Sequence, residues 1–97
     1  MSSYIPNPID TSFVILSPEI EKLTELLAEN IHEHWSRQRL ADGWCYGPAR
    51  DDINKHHPCL IPYDNLPEVE KIYDRQTAME TLKAIMALGY SIEKTGQ

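Results

Sequence analysis

Four of the seven prolines lie within residues 44–67, and this segment separates two regions with helical patterns. Proline fixes φ and lacks a backbone donor, so neither a long helix nor a central strand can run through the segment. The 97 residues suit one small domain, because two halves of this length would each bury too little apolar surface. We therefore expect a single domain over residues 1–97, with helices on either side of an irregular centre.

The first helical region covers residues 17–41. Ser17 suits the N-cap position, Pro18 suits the first helical position, and Gly43 marks the end. Apolar residues recur at intervals of three and four, which predicts one buried face. The residues of this stripe are Ile20, Leu23, Leu27, Ile31 and Trp35. The opposite face is acidic and carries Glu21, Glu25, Glu29 and Glu33.

The second helical region covers residues 67–89, with Gly89 as its stop signal. A gap in the apolar stripe leaves a break near Arg75 open, since Asp74 could cap a fresh helix. We expect the two helices to be antiparallel, with their stripes facing each other. The predicted centre of the core is Leu23, Leu27, Ile31, Trp35, Ile72, Met79, Leu82 and Met86.

The remaining segments predict extended and irregular structure. Pro6 and Pro8 favour an extended arm over residues 1–16. Residues 42–66 are irregular, with short strands predicted at 44–46 and 59–61 that could pair with each other. The predicted fold class is α+β and mainly helical, with two long antiparallel helices, a short two-stranded β piece and an extended N-terminal arm.

Composition excludes several classes of function. The net charge of −6 argues against nucleic-acid binding, which needs a basic surface. No apolar run approaches the roughly 20 residues that span a bilayer. Residues 1–10 lack the basic start and apolar stretch of a secretory signal. Two cysteines are too few for a disulfide scaffold, so we expect a cytoplasmic protein.

A series of short strings runs through the chain in order. The first are Trp35-x-x-x-Arg39, Gly43-Trp44-x-Tyr46-Gly47 and Arg50-Asp51-Asp52-x-x-Lys55. Those that follow are His57-Pro58-Cys59-Leu60, Pro62-Tyr63, Leu66-Pro67-Glu68 and Leu88-Gly89-Tyr90. Over nearly the whole chain, this series resembles the RyR domain, the repeat found in ryanodine receptors.

The resemblance implies a regulatory module that contacts ligands or proteins and has no catalytic role. In the receptors, the repeats form tandem pairs related by an approximate two-fold axis, and one pair is associated with an adenine nucleotide. Small stand-alone versions occur in microbes and phages. This chain is a single repeat without a pore, so the resemblance does not imply ion conduction. Its thin core and the pairing of the repeats favour a homodimer.

The centre of the chain is the region where an anion is least repelled. Residues 35–60 carry four basic and three acidic side chains, a net +1 that leaves −7 for the rest. Aromatic rings there could stack a base, and arginine suits phosphate. We expect a small anionic, nucleotide-like ligand, although a Gly-rich phosphate loop is missing. The candidate binding residues are Trp44, Tyr46, Arg50, Asp52 and Lys55, with Arg39 as a further candidate.

Other interpretations of the same residues stay open. Trp35 could be core, and the Arg50-Asp51-Asp52 string could brace a loop instead of contacting a ligand. The histidines and cysteines of the centre lack zinc-site spacing, so no metal or cofactor is expected. An enzyme is not expected, because so short a chain leaves little room for a walled pocket. The alternative function is a protein-interaction module without a small ligand, acting through the arm or the acidic helix face.

Overall fold

The computed structural model describes residues 3–96, and helices dominate it. The helices are α1 (Pro18–Glu21), α2 (Leu23–Ala41) and α3 (Glu68–Ala87), with a 3₁₀ turn at Tyr63–Asn65. The strands are β1 (Cys45–Tyr46) and β2 (His56–His57). The prediction of a mainly helical domain with a short two-stranded sheet is confirmed. Within residues 3–96, no helix is both long and apolar enough to cross a bilayer.

The helix ends follow local signals in the sequence. The Ser17 Oγ accepts a hydrogen bond from the Ile20 backbone N–H at 3.3 Å, as an N-cap does. A turn at Lys22 separates α1 from α2, so the predicted helix over 17–41 is divided. Helix α3 continues through Arg75 without the break that the gap in its stripe allowed. It ends before Gly89, whose φ of 100° favours glycine.

The two strands are parallel, with Cys45 opposite His56 and Tyr46 opposite His57. The second strand predicted at 59–61 is therefore wrong. Pro58 lacks an N–H, and the Cys59 N–H donates to His57 Nδ1 at 3.0 Å, which makes a turn there. Gly47 permits the pairing, because a Cβ at this position would lie 2.5 Å from His56 Cβ.

Within residues 3–96, the core consists of two small clusters. The first contains Leu16, Ile20 and Leu82, and the second contains Ala28, Tyr63 and Leu66. Leu82 is thus buried as predicted, whereas Leu27, Ile31, Trp35, Met79 and Met86 are only partly buried.

Leu23 and Ile72 are wrongly placed in the predicted core, because they are 36% and 46% exposed. The most buried positions of α2 and α3 are instead Ala28 and Ala78. Small residues let helices approach closely, and a search for large apolar residues overlooks them. Ile20 belongs to the same core cluster as Leu82, and Glu25 pairs with Arg75. The later residue of the first helical region thus meets the earlier residue of α3.

The N-terminal segment is attached to the helices by a hydrogen bond and by apolar contacts. Thr11 Oγ1 donates to Glu80 Oε1 at 2.7 Å, Leu16 belongs to the first core cluster, and Val14 packs against that cluster. Residues 3–10 have no helix or strand, and Tyr4 and Ile5 are 87% and 81% exposed. Residues 3–10 therefore cover little of the core.

Candidate functional site

An open cavity lies where α2, the central segment and the start of α3 meet. Its volume is about 260 Å³, just below the roughly 300–1,000 Å³ of pockets for drug-sized ligands. The lining residues are His32, Trp35, Arg39, Arg50, His57, Cys59, Leu66, Glu70 and Asp74. A cavity of this size suits a small molecule or one part of a larger one.

Two guanidinium groups and two tryptophans form one side of this region. The Arg39 Cζ lies 4.7 Å from the Trp44 ring centre and 5.6 Å from that of Trp35. The Arg50 Cζ lies 6.0 Å from the Trp44 ring centre. Trp35 and Arg39 are four residues apart on α2 and so share one helix face. Trp44 is partly exposed beside the cavity and brings both arginines close to one aromatic surface.

Arg50 is held by a neighbour in its own loop. Its Nε donates to Asp52 Oδ1 at 2.8 Å, and this contact lowers the pKa of Asp52 and raises that of Arg50. Asp51 braces the loop instead, because its Oδ1 accepts the backbone N–H groups of Ile53 and Asn54, each at 3.1 Å. Hydrogen bonds, first from the Asn54 side chain, lower the pKa of Asp51. Adjacent carboxylates thus have different roles.

His57 lies between the tryptophans and the charged groups. Its ring centre is 4.9 Å from that of Trp35 and 6.2 Å from that of Trp44. Burial lowers the pKa of His57, and the charges of Arg50 and Arg39 lower it further. Because Nδ1 accepts the Cys59 N–H, the neutral ring carries its proton on Nε2. His57 is therefore a neutral donor in the cavity.

The opposite side of the cavity is acidic. Glu70 and Asp74 are four residues apart on α3, so they share a helix face. Burial raises the pKa of Asp74; the charge of nearby His32 opposes this effect, and that of Glu70 adds to it. Among residues 3–96, neither carboxylate forms a salt bridge, and Arg39 forms none either. One cavity thus holds opposite charges that are not paired with each other.

The buried His32 supports the α2 side of the cavity. Its Nε2 donates to the Ile61 carbonyl oxygen at 2.7 Å, which ties α2 to the segment before the 3₁₀ turn. Its ring stacks on Trp35 with 5.6 Å between centroids and 26° between planes. His32 therefore fixes the position of Trp35.

The structure brings some of the predicted binding residues together and leaves others apart. Arg39, Trp44, Arg50 and Asp52 form one contiguous group. The Lys55 Nζ instead donates to the Asp42 carbonyl oxygen at 2.8 Å, at the end of α2. Tyr46, 57% exposed, lines a separate depression with Leu40, Leu60 and other residues. The binding role of each of these six residues stays a prediction.

Seven of the nine residues that line this cavity were not among the predicted binding residues: His32, Trp35, His57, Cys59, Leu66, Glu70 and Asp74. The spacing of Trp35 and Arg39 could have paired them on one face of α2. Glu70 and Asp74 also lie one helical turn apart, but only the packing of α3 brings them to the cavity. Within the described chain, no three metal-ligating side chains come together, and Cys45 and Cys59 are free.

Comparison of the chain with models of protein families finds the RyR domain family. The model of that family matches residues 4–94, nearly the whole chain. The resemblance inferred from the sequence is thereby confirmed, and all residues of the cavity lie within the match. RyR repeat domains are not known as enzymes.

Proposed function

Because the chain belongs to the RyR domain family, we propose that it is a non-enzymatic regulatory module that binds a small anionic, nucleotide-like ligand. The observation that carries this proposal is the position of Arg39 and Arg50, which both face Trp44 beside an open cavity. The proposed contact residues are Arg39, Trp44 and Arg50, with Asp52 as a positioning residue.

The basic side of the cavity suits an anionic group. Guanidinium groups offer a planar fork of donors that matches phosphate or carboxylate oxygens. Asp52 accepts from Nε and Nη2 of Arg50 and so orients this guanidinium group before the ligand arrives, which reduces the entropy lost on binding and leaves Nη1 free for the ligand. The Nε2–H of His57 supplies a further donor without adding a charge.

The aromatic side suits a flat, conjugated group. Base–aromatic stacking contributes roughly 1–3 kcal/mol, and Trp44 is the partly exposed aromatic residue beside the arginines. Trp44 lies beside the cavity and does not line it. We therefore place the base of the ligand outside, on Trp44, and its anionic group inside, near the arginines.

Thermal unfolding against adenine nucleotides tests the proposal. A ligand at about 100 times its Kd adds roughly 2.7 kcal/mol of stability. For a chain of this length, each kcal/mol raises the midpoint by about 4–8 °C. We expect adenosine 5′-monophosphate to raise the midpoint of the wild type and to have little effect on Arg39→Ala and Trp44→Ala.

The matched control is Arg37→Ala, which removes an exposed arginine of α2 outside the cavity lining. This control should keep the full response to the nucleotide. A flat response of the wild type at millimolar nucleotide would contradict the proposal. An equal response in Arg39→Ala would contradict the assignment of the site.

Exposed apolar surface favours self-association as a second candidate function. Tyr4, Ile5 and Ile15 are each more than four-fifths exposed. The radius of gyration is 16.6 Å, against about 13 Å for a compact chain of this length. We propose that a second copy covers this surface in a homodimer. Analytical ultracentrifugation should show a dimer that Ile5→Asp/Ile15→Asp dissociates, and a wild-type monomer at high concentration would contradict it.

We further propose the cytoplasm as the compartment of this module. Cys45 and Cys59 are free thiols, and free thiols are typical of reducing compartments. Fractionation of cells that express the chain from its native gene would test this, and recovery outside the cytoplasm would contradict it.

A further inference from the structure

The cavity has a donor side and an acceptor side, and the proposed anion occupies only the first. Arg39, Arg50 and His57 present N–H groups. Glu70 and Asp74 present carboxyl oxygens. An anion alone would satisfy the arginines and leave the carboxyl groups of the same cavity without a donor. The ligand that fits therefore also carries hydrogen-bond donors.

The charges around His57 show that the two sides share one space. The pKa of His57 responds to Arg50 and Arg39 and, in the opposite sense, to Glu70 and Asp52. Asp52 is already paired with Arg50 at 2.8 Å, whereas Glu70 has no salt-bridge partner within residues 3–96. Arg39, Glu70 and Asp74 line the same cavity, and none of the three forms a salt bridge within residues 3–96. Their separation across a cavity points to a bridging molecule.

His32 adds a polar ring atom whose orientation is fixed. It is only 4% exposed, and it lines the cavity. Its Nε2–H donates to the Ile61 carbonyl oxygen, which leaves Nδ1 as the second polar atom of the ring. In the described part of the chain, Nδ1 has no hydrogen-bond partner. Together with Glu70 and Asp74, the cavity offers polar atoms without a protein partner from both α2 and α3.

Resting on the proposed function, we infer that the ligand is a ribose phosphate, with its phosphate on Arg39 and Arg50 and its hydroxyl groups donating to Glu70 and Asp74. Carboxylates are common partners of ribose hydroxyls in nucleotide sites. The volume of about 260 Å³ holds the ribose phosphate, and the base lies outside on Trp44. The hydroxyl groups of the ribose can donate to these carboxyl groups whether or not both are ionised.

The test compares ligands that differ only in these donors. The probes are adenosine 5′-monophosphate, its 2′,3′-dideoxy analogue and inorganic phosphate, titrated calorimetrically into the wild type. A site that hydrogen-bonds hydroxyl groups rejects an analogue without them. We expect the dideoxy analogue to bind at least about tenfold more weakly than the parent nucleotide. Equal affinity for the two would overturn the inference.

The variant Glu70→Gln/Asp74→Asn removes both negative charges and keeps the shape of the side chains. We expect the preference for hydroxyl groups to fall to about twofold or less, while inorganic phosphate binds as tightly as before or more tightly. The matched control is Glu21→Gln/Glu29→Gln, which makes the same change of charge on exposed positions outside the cavity and should keep the preference. An undiminished preference in the cavity variant would overturn the inference.

The titration with inorganic phosphate distinguishes failure of this inference from failure of the proposed function. If all three probes bind equally well and Arg39→Ala abolishes their binding, the proposed anion site is supported and the assignment of the ribose is wrong. If no probe binds either the wild type or the cavity variant, both are wrong. The single variants Glu70→Gln and Asp74→Asn give the same comparison if the double variant fails to fold.

Discussion

Two groups of charged side chains lie between α2 and α3, and they differ in how their charges are paired. In the first, Glu25 accepts hydrogen bonds from Arg75 Nε at 2.6 Å and from the Tyr63 hydroxyl at 2.9 Å. Arg75 also donates to Glu68 at 3.0 Å. In the second, Arg39, Glu70 and Asp74 line one cavity, and none of them has a salt-bridge partner within residues 3–96.

The difference favours a role in the fold for the first group and is consistent with the ligand-binding role proposed for the second. The hydrogen bond from Arg75 is the main reason that the pKa of Glu25 is lowered, and the same contact raises the pKa of Arg75. Burial, together with the bond to Glu25, raises the pKa of Tyr63 to about 12. These groups join α2, the 3₁₀ turn and α3. Arg39, Glu70 and Asp74 form no salt bridge within residues 3–96 and stay available.

Among the changes predicted here, loss of the Tyr63 ring should have the largest effect on stability. Tyr63 is 3% exposed, and Tyr63→Ala should lower the free energy of unfolding by about 3–5 kcal/mol. The control Tyr63→Phe keeps the ring and loses only the bond to Glu25, at about 1 kcal/mol. Urea denaturation measures both. Equal losses for the two variants would show that the hydroxyl, and not the ring, dominates.

The neighbours Asp51 and Asp52 should separate stability from binding. Asp52→Asn frees Arg50 and should weaken the binding of adenosine 5′-monophosphate by about five- to tenfold, with the midpoint of unfolding unchanged. Asp51→Asn should lower the midpoint, because Asp51 braces the loop. Calorimetric titration and thermal unfolding of both variants measure this. Loss of affinity without loss of stability in Asp51→Asn would reverse the two roles.

The pH dependence of stability should differ between the two groups. The pKa of His57 is lowered in the folded state, so the unfolded chain takes up this proton first as the pH falls. The free energy of unfolding should therefore decrease as the pH falls through about 6.5, and His57→Gln should remove this decrease. Urea denaturation between pH 5.5 and 7.5 measures it.

Glu25→Gln is the control for this range, because the lowered pKa of Glu25 has the opposite consequence. The stability it contributes is present above the unfolded pKa of 4.5 and is lost as the pH falls through the folded value. The variant should keep the slope near pH 6.5 and lose part of the slope below pH 4.5. An unchanged slope near pH 6.5 in His57→Gln would contradict the burial of a neutral ring.

The smallest expected effect concerns Lys55. Lys55→Met removes the donor to the Asp42 carbonyl oxygen at the end of α2, which should cost about 0.3–1 kcal/mol. The affinity for adenosine 5′-monophosphate should stay unchanged. Urea denaturation and calorimetric titration measure the two quantities. A loss of affinity greater than about threefold would return Lys55 to the binding residues that the sequence predicts.

The sequence predicted the parts of the fold that depend on local signals. The N-cap at Ser17 and the apolar stripes located the helical regions, and short strings along the chain identified the family. The strand opposite Cys45 was not predictable, because it depends on the close approach of Gly47 to His56. The acidic side of the cavity was not predicted either, because Glu70 reaches it only through the packing of α3 on α2.

The most direct test of the central claim is to locate a bound nucleotide by NMR. The chain has only two tryptophans, Trp35 and Trp44, and both lie at the cavity, so their indole N–H signals report on it. Titration of ¹⁵N-labelled protein with adenosine 5′-monophosphate should shift both indole signals and the amide of His57, and leave the amide of Glu25 unchanged. Indole signals that stay fixed at millimolar nucleotide would contradict the account.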